Sequence, residues 1–115
     1  MGTKQLSQMP YTLDDIRKIC SDDNIILSSH TKNRFIERNI SYKDVYTAIL
    51  NGEIIEEYPD DTPFPSCLIC AQTDSGYIHT VISTDNTYIY IITAYRPSLD
   101  KWEKGFRSRK RGNKI

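Results

Sequence analysis

The chain has 115 residues, of which 38% are hydrophobic and 26% are charged. This length supplies one hydrophobic core and excludes two independent domains, while the apolar content excludes disorder along the whole chain. The formal net charge is zero, yet residues 101–115 carry seven basic residues against one acidic residue. This basic end favours a nucleic acid or an acidic protein as partner, although a solvated terminus has the same composition.

The cysteine count and the hydropathy pattern predict the compartment. Three cysteines cannot all pair within one chain, and no apolar run near Met1 resembles a signal peptide. No stretch approaches the roughly 20 apolar residues that a membrane span requires. We therefore expect a soluble, cytoplasmic protein in a reducing environment, with no membrane partner.

The N-terminal part of the chain begins with weak signals. Residues 1–10 are polar and unpatterned, which predicts a flexible leader. Thr12 then has the position of a helix N-cap in a capping box, and the apolar spacing after it predicts a short helix that ends near Ser21. Residues 24–28 are apolar enough to form a brief strand.

Two further helices are predicted in succession. The first begins near His30 and runs to about Arg38. The second follows a capping box at Ser41 and stops at Gly52, a residue that favours helix termination. Because the link between them is so short, we expect a helical hairpin.

From residue 53 the hydrophobic period becomes that of strands. Four strands are predicted, over residues 53–58, 67–73, 77–83 and 87–95. The short turns between the last three favour antiparallel pairing. After Pro97 a short helix from Leu99 to Phe106 is expected to lay Trp102 on the sheet.

These elements predict an α+β fold. We expect a four-stranded antiparallel sheet packed against an N-terminal helical hairpin, with a short C-terminal helix at its edge. The single domain is expected over residues 11–106, between the flexible leader (1–10) and a basic tail (107–115).

One helical face carries a row of basic side chains. His30, Arg34 and Arg38 lie four residues apart, so all three share a face of the predicted helix. Such a row requires an anion, either a protein carboxylate or a phosphate. Glu37 offers the simpler alternative, a solvated, ion-paired surface.

His79 and Tyr95 are the candidates in the sheet. Strand alternation places His79 on the same face as Tyr77 and Val81. It is either a hydrogen-bonded core residue or a catalyst, and catalysis would require the helix of His30 to cover that face. Tyr95 near arginines is typical of stacking on unpaired bases.

Cys67 and Cys70 have the spacing of a metal-binding pair. They fall within one predicted strand, however, where positions three apart point to opposite faces. No second pair completes a zinc site, and no glycine-rich loop could hold a phosphate. We therefore predict no metal site and no other cofactor.

Several short strings, taken together, resemble a known bacterial family, called domain of unknown function 4258, over about residues 29–109. They are His30, Arg34, Arg38-Asn39-Ile40-Ser41, Val45, Asn51 to Asp61, Pro65 to Leu68, His79-Thr80-Val81, Ile92 to Tyr95, Pro97 and Trp102. Members of the family are similar to the RelE/ParE-like and BrnT-like toxins of toxin–antitoxin pairs. Many look like the toxin half beside a zinc-finger antitoxin related to the MqsA type.

The resemblance implies a RelE/BrnT-like fold and an mRNA-cleaving toxin. Its partners would be RNA, free or on the ribosome, and a cognate antitoxin with or without a zinc finger. The polar positions of the family correspond to His30, Arg34, Arg38, His79 and Tyr95, with Trp102 as a packing position.

RNA can be cut without a metal when its own 2′-hydroxyl attacks the adjacent phosphorus, which requires a base, an acid and cations. His79 and His30 would supply the first two, Arg34 and Arg38 the third, and Tyr95 a wall for a base. We expect these five side chains to meet on one concave surface between the hairpin and the sheet.

A second set of residues is predicted to bind RNA by charge alone. Its members are basic and lie on the His30 helix or in the tail: Lys32, Arg107, Arg109, Lys110 and Arg111. The alternative to a nuclease is a binding module without catalysis, which uses the same basic groups for RNA or an acidic protein. A toxin-like domain that has lost its activity is the third possibility.

Overall fold

The N-terminal half folds into three helices, each started by a hydroxyl side chain. The computed structural model describes residues 8–110. Its helices are α1 (Leu13–Ile19), α2 (Ser29–Glu37) and α3 (Tyr42–Asn51). Their N-caps are Thr12, Ser28 and Ser41, and each hydroxyl oxygen accepts a hydrogen bond from a backbone N–H of the first helical turn. The helices predicted from the capping boxes are therefore confirmed.

Besides a short 3-10 helix at Asp22–Asn24, the remaining elements are five strands in one sheet. They are β1 (Ile25–Leu27), β2 (Glu53–Tyr58), β3 (Ser66–Thr73), β4 (Gly76–Thr84) and β5 (Ile89–Tyr95). Their order across the sheet is β1-β5-β4-β3-β2, with β1 parallel to β5 and the other pairs antiparallel.

The α+β class is confirmed, but the expected four-stranded antiparallel sheet is wrong. The brief N-terminal strand joins the sheet as β1 and makes it mixed. Because α2, α3 and three strands separate β1 from β5 in the chain, no local turn signals this pairing.

Alternation along the strands gives the sheet two different faces. Ile78 and Ile82 of β4 point to the face that the helices cover, which we call the helix face. There they pack in one core with apolar residues of the helices, among them Ile16 and Phe35. His79 directly follows Ile78 and therefore points to the opposite side, the far face.

Helix α2 covers the part of β5 that β1 leaves unpaired. Strand β1 pairs only with the first three residues of β5. Farther along β5, the Thr31 hydroxyl donates to the Ile92 carbonyl oxygen over 3.3 Å, and Arg38 Nη1 donates to the Ala94 carbonyl oxygen over 2.8 Å. These side chains satisfy edge carbonyls that would otherwise be open to another strand.

The prediction of a C-terminal helix from Leu99 to Phe106 is wrong. These residues form turns, and Trp102 makes an isolated antiparallel bridge with Arg109. Gly105 and Phe106 have φ angles of 90° and 61°, which are left-handed and end any helix. Trp102 nevertheless packs as expected, with 3% of its surface exposed.

The packed chain extends beyond the predicted domain at both ends. Met9, placed in the leader by the sequence, packs against the core. Arg107 and Arg109, placed in the basic tail, form ion pairs with Glu53 and Glu56 of β2. Residues 1–7 of the leader and 111–115 of the tail lie outside the described residues. Within residues 8–110, no helix combines the length and apolar character that crossing a bilayer requires.

A substitution at Gly52 tests how closely the end of α3 packs against the sheet. A Cβ atom at this position would lie 2.5 Å from the Ala48 carbonyl oxygen and 2.7 Å from the Cys70 carbonyl oxygen. Because both are backbone atoms, Gly52→Ala should lower the free energy of unfolding by about 1–3 kcal/mol. Urea unfolding measures this loss.

The control is Asn51→Ala at the exposed neighbouring position. It should change the free energy of unfolding by less than about 0.5 kcal/mol. Equal stabilities of the two variants would show that α3 can move away from β3 without cost.

Candidate functional site

Helix α2 carries the first group of predicted site residues. His30, Arg34 and Arg38 follow one another at four-residue intervals and are all exposed. We call these three residues the basic row. Arg34 Nη1 donates to Glu37 Oε1 over 2.9 Å, but the two side chains are 45% and 60% exposed, so this ion pair is weak. The basic row therefore presents two guanidiniums and an imidazole to solvent.

Arg38 is held in place by the edge of the sheet. Its Nη1 donates to the Ala94 carbonyl oxygen over 2.8 Å and to Thr93 Oγ1 over 3.2 Å. Both bonds use the same nitrogen, and Nε and Nη2 make no hydrogen bond with the described residues. A guanidinium fixed in this way keeps donors available for an anion at little further cost in side-chain entropy.

His79 lies in a different environment, between the sheet and the C-terminal segment (residues 98–110). None of its surface is exposed. Its Nε2 lies 2.7 Å from the Phe106 carbonyl oxygen, and its Nδ1 lies 3.1 Å from the Tyr95 hydroxyl. Because a carbonyl only accepts, we assign the proton of the neutral ring to Nε2, so that the Tyr95 hydroxyl donates to Nδ1. Trp102 packs edge-on against the imidazole, with ring centroids 4.4 Å apart.

This environment keeps His79 neutral. Burial lowers its pKa, and the opposing effects of the Phe106 carbonyl and the Glu56 carboxylate are smaller. Burial likewise raises the pKa of Tyr95. Both ring nitrogens are occupied, so proton transfer with a substrate would require the C-terminal segment to move away.

The five predicted site residues do not meet on one surface, and the expected concave site between the hairpin and the sheet is wrong. His79 and Tyr95 are paired in register on the far face, whereas α2 packs on the core side and along the β5 edge. The reason is strand alternation, since Ile78 and Thr80 point to the helix face. The structure therefore brings together two separate groups, the basic row and the His79–Tyr95 pair.

A polar cluster on the far face was missed by the sequence analysis. Arg109 donates to both carboxylate oxygens of Glu56, over 2.8 and 3.1 Å, and the Tyr58 hydroxyl donates to the same carboxylate over 2.5 Å. The Arg109 guanidinium also lies 4.7 Å from the centre of the Trp102 ring. Burial raises the pKa of Glu56, but the hydrogen bonds from Arg109 and Tyr58 outweigh it, so this pKa is lowered overall.

The sequence could predict only the strand residues of this cluster. Glu56 and Tyr58 are two apart on one strand and so share a face. Arg109 lies 53 residues from Glu56, and no local pattern could assign it as the partner.

The residues predicted to bind RNA by charge alone have different surroundings. Lys32 is exposed on α2, but it is two residues from both His30 and Arg34 and therefore lies on a different side of the helix from the basic row. Arg107 and Arg109 are bound to carboxylates of β2. The backbone N–H of Lys110 donates to the Lys101 carbonyl oxygen over 2.9 Å. The fifth residue, Arg111, lies outside the described residues.

The two strand cysteines lie on opposite faces of β3. Cys67 belongs to the core on the helix face, where burial raises the pKa of its thiol to about 12. Cys70 lies opposite His79 on the far face. In the described part of the chain, His, Cys, Asp and Glu side chains form no group of three or more that could hold a metal ion.

The buried imidazole predicts a pH dependence of stability. Because folding lowers the pKa of His79 below its ordinary value of 6.5, the unfolded chain binds this proton first as the pH falls. The contribution of His79 is therefore fully present above pH 6.5 and is lost as the pH falls toward the lowered pKa, by up to about 1.4 kcal/mol per pH unit. Urea unfolding between pH 7 and pH 5 measures this slope.

One variant separates His79 from the other titrating groups. His79→Gln keeps a donor for the Phe106 carbonyl but does not titrate, so the slope of its unfolding free energy against pH should be smaller than that of the wild type by up to about 1.4 kcal/mol per pH unit. Parallel curves for the wild type and His79→Gln would contradict the burial of a neutral imidazole.

Comparison with known proteins gives one match. The family model described as Domain of unknown function (DUF4258) matches residues 27–96. No curated protein and no solved structure matches the chain. The matched residues run from the end of β1 through β5 and include the basic row and the His79–Tyr95 pair. Since they make up more than half of the chain, this protein belongs to the DUF4258 family.

Proposed function

We propose that this protein binds RNA through the basic row, with the phosphate backbone of the RNA along α2. The observation that carries the proposal is that His30 and Arg34 of α2 and its C-cap Arg38 are all exposed at four-residue spacing, with Glu37 bonded to Arg34 alone. Two guanidiniums and an imidazole at this spacing suit successive phosphates of one strand.

Two other features support this surface over the basic tail. Arg109 donates two hydrogen bonds to the partly buried Glu56 carboxylate, which reduces the charge that it offers to a phosphate. Arg107 also contacts a carboxylate, that of Glu53. Arg38, by contrast, is bonded to a neutral hydroxyl and a backbone carbonyl, so its full charge remains.

Binding to phosphates predicts a specific salt dependence. Each lost contact with a single strand should reduce the slope of log K against log salt concentration by about 0.7. Arg34→Ala should therefore weaken binding of a single-stranded RNA and flatten this slope, as measured by fluorescence anisotropy at several salt concentrations. Lys18→Ala, an exposed basic residue on α1, is the matched control and should change neither value.

Equal effects of Arg34→Ala and Lys18→Ala would mean that any RNA binding is diffuse. The basic row would then have no particular role, and the proposal would fail.

A second function, metal-independent cleavage of RNA by the toxin of a toxin–antitoxin pair, is favoured by the position of His30. It is the exposed one of the two imidazoles and shares a helix face with both guanidiniums. In this reaction the 2′-hydroxyl oxygen bonds to phosphorus as its proton passes to His30. The bond from phosphorus to the 5′-oxygen breaks, water supplies a proton to that oxygen, and a 2′,3′-cyclic phosphate remains.

The other members of the predicted site receive different roles in this proposal. Arg34 and Arg38 stabilise the charge on phosphorus. His79 and Tyr95 hold the C-terminal segment and do not transfer protons. The RNA is cut free or on the ribosome, and a cognate antitoxin would block the basic row.

Cleavage gives a test that separates the two histidines. His30→Ala should lower the cleavage rate by about 10²–10⁴-fold, the usual contribution of one general acid or base. His79→Gln should cut at a rate close to that of the wild type when the rate is measured per folded molecule. Mapping of the new RNA ends, with and without ribosomes, measures both rates.

The opposite result, in which His79→Gln is inactive and His30→Ala is active, would mean that cleavage takes place on the far face. RNA that is bound but left intact by the wild type would reject cleavage and leave RNA binding as the function.

A further inference from the structure

Strand β1 is an edge strand without the usual protection. It pairs with β5 on one side, and its outer backbone groups make no hydrogen bond with residues 8–110. Its sequence, Ile25-Ile26-Leu27, contains no charged residue or proline that would discourage a further strand. The side of the sheet away from β5 is therefore open to strand addition.

An apolar groove of about 760 Å³ runs beside this edge, between β1 and the helices α2 and α3. Three of its residues are large and exposed: Ile26 is 41% exposed, Ile36 is 79% exposed and Tyr42 is 36% exposed. A cluster of exposed apolar residues beside an open strand edge is typical of a protein interface.

The charges of the groove lie at its two ends. Asp22 precedes β1 by three residues. Lys32 follows Thr31, whose hydroxyl donates to the Ile92 carbonyl oxygen. Ile92 comes directly after Ile91, the β5 residue that pairs with Leu27 at the end of β1. Asp22 and Lys32 therefore flank β1 at opposite ends, and both line the groove.

We propose that the groove binds a second copy of this chain, with the β1 strands of the two copies pairing antiparallel about a two-fold axis near Ile26. A two-fold axis reverses the direction of the groove, so the acidic end of one copy meets the basic end of the other. The same operation places the two Ile26 side chains next to each other across the new strand pair.

This arrangement makes one sheet across the dimer and covers the exposed side chains of the groove. Three-residue strands contribute few backbone hydrogen bonds, so most of the affinity comes from burial of Ile26, Ile36 and Tyr42. The groove is not lined by the basic row, so the proposed dimer does not depend on RNA binding.

Sedimentation equilibrium of the chain over a wide concentration range tests this dimer. The wild type should show a reversible monomer–dimer equilibrium. Ile36→Lys should raise the dissociation constant at least about tenfold, because an exposed apolar contact becomes a buried charge. Leu99→Lys, at a residue that is 54% exposed but lies outside the groove, should leave the dissociation constant unchanged.

A charge reversal tests the two-fold geometry itself. Asp22→Lys and Lys32→Asp should each weaken the dimer, since each puts like charges at both ends of the interface. The double variant restores opposite charges and should regain most of the wild-type affinity. Circular dichroism confirms that each variant is folded.

The proposal is overturned by a wild type that stays monomeric at every concentration. It is also overturned if the double variant dimerises no more tightly than the single variant with the higher dissociation constant. Equal dissociation constants for Ile36→Lys and Leu99→Lys would overturn it as well.

Discussion

The hydrogen bond from His79 Nε2 to the Phe106 carbonyl holds the C-terminal segment against the sheet. The donor lies in the middle of the central strand β4, and the acceptor belongs to a residue in the left-handed conformation. A tilted contact between the rings of Phe106 and Tyr77, with centroids 4.9 Å apart, helps to hold that conformation. Without this bond, the far face would lose the contact that seats Trp102 and Arg109.

This bond also determines which charges are available for function. The C-terminal segment brings Arg107 and Arg109 to Glu53 and Glu56, so two of the five basic residues of the predicted tail are paired with carboxylates of the sheet. In the basic row Arg34 is paired with Glu37, whereas Arg38 contacts a backbone carbonyl and a hydroxyl at the edge of β5. Packing, and not composition, therefore decides where this protein offers positive charge.

The two edges of the sheet differ in the same way. At the β2 edge, glutamates bind the arginines of the C-terminal segment. At the other edge, α2 satisfies carbonyls of β5 but stops short of the outer side of β1, which remains open beside apolar residues. One edge strand carries ion-paired charged side chains and the other is apolar, so association through apolar burial is suited to the β1 edge.

The sequence by itself determined the three N-terminal helices, the five strands, the shared face of His30, Arg34 and Arg38, and the divergence of Cys67 and Cys70. Each of these follows from caps and from the 3.6- and 2-residue periods, which are properties of neighbouring residues. Only the tertiary structure decided the parallel pairing of β1 with β5, the bonds from Arg109 to Glu56, and the burial of His79 under Phe106. These contacts join residues far apart in the chain, 53 positions for Arg109 and Glu56 and 27 for His79 and Phe106, and depend on the packing of the whole domain. Local pattern shows which side chains share a face, but it does not show what will cover that face.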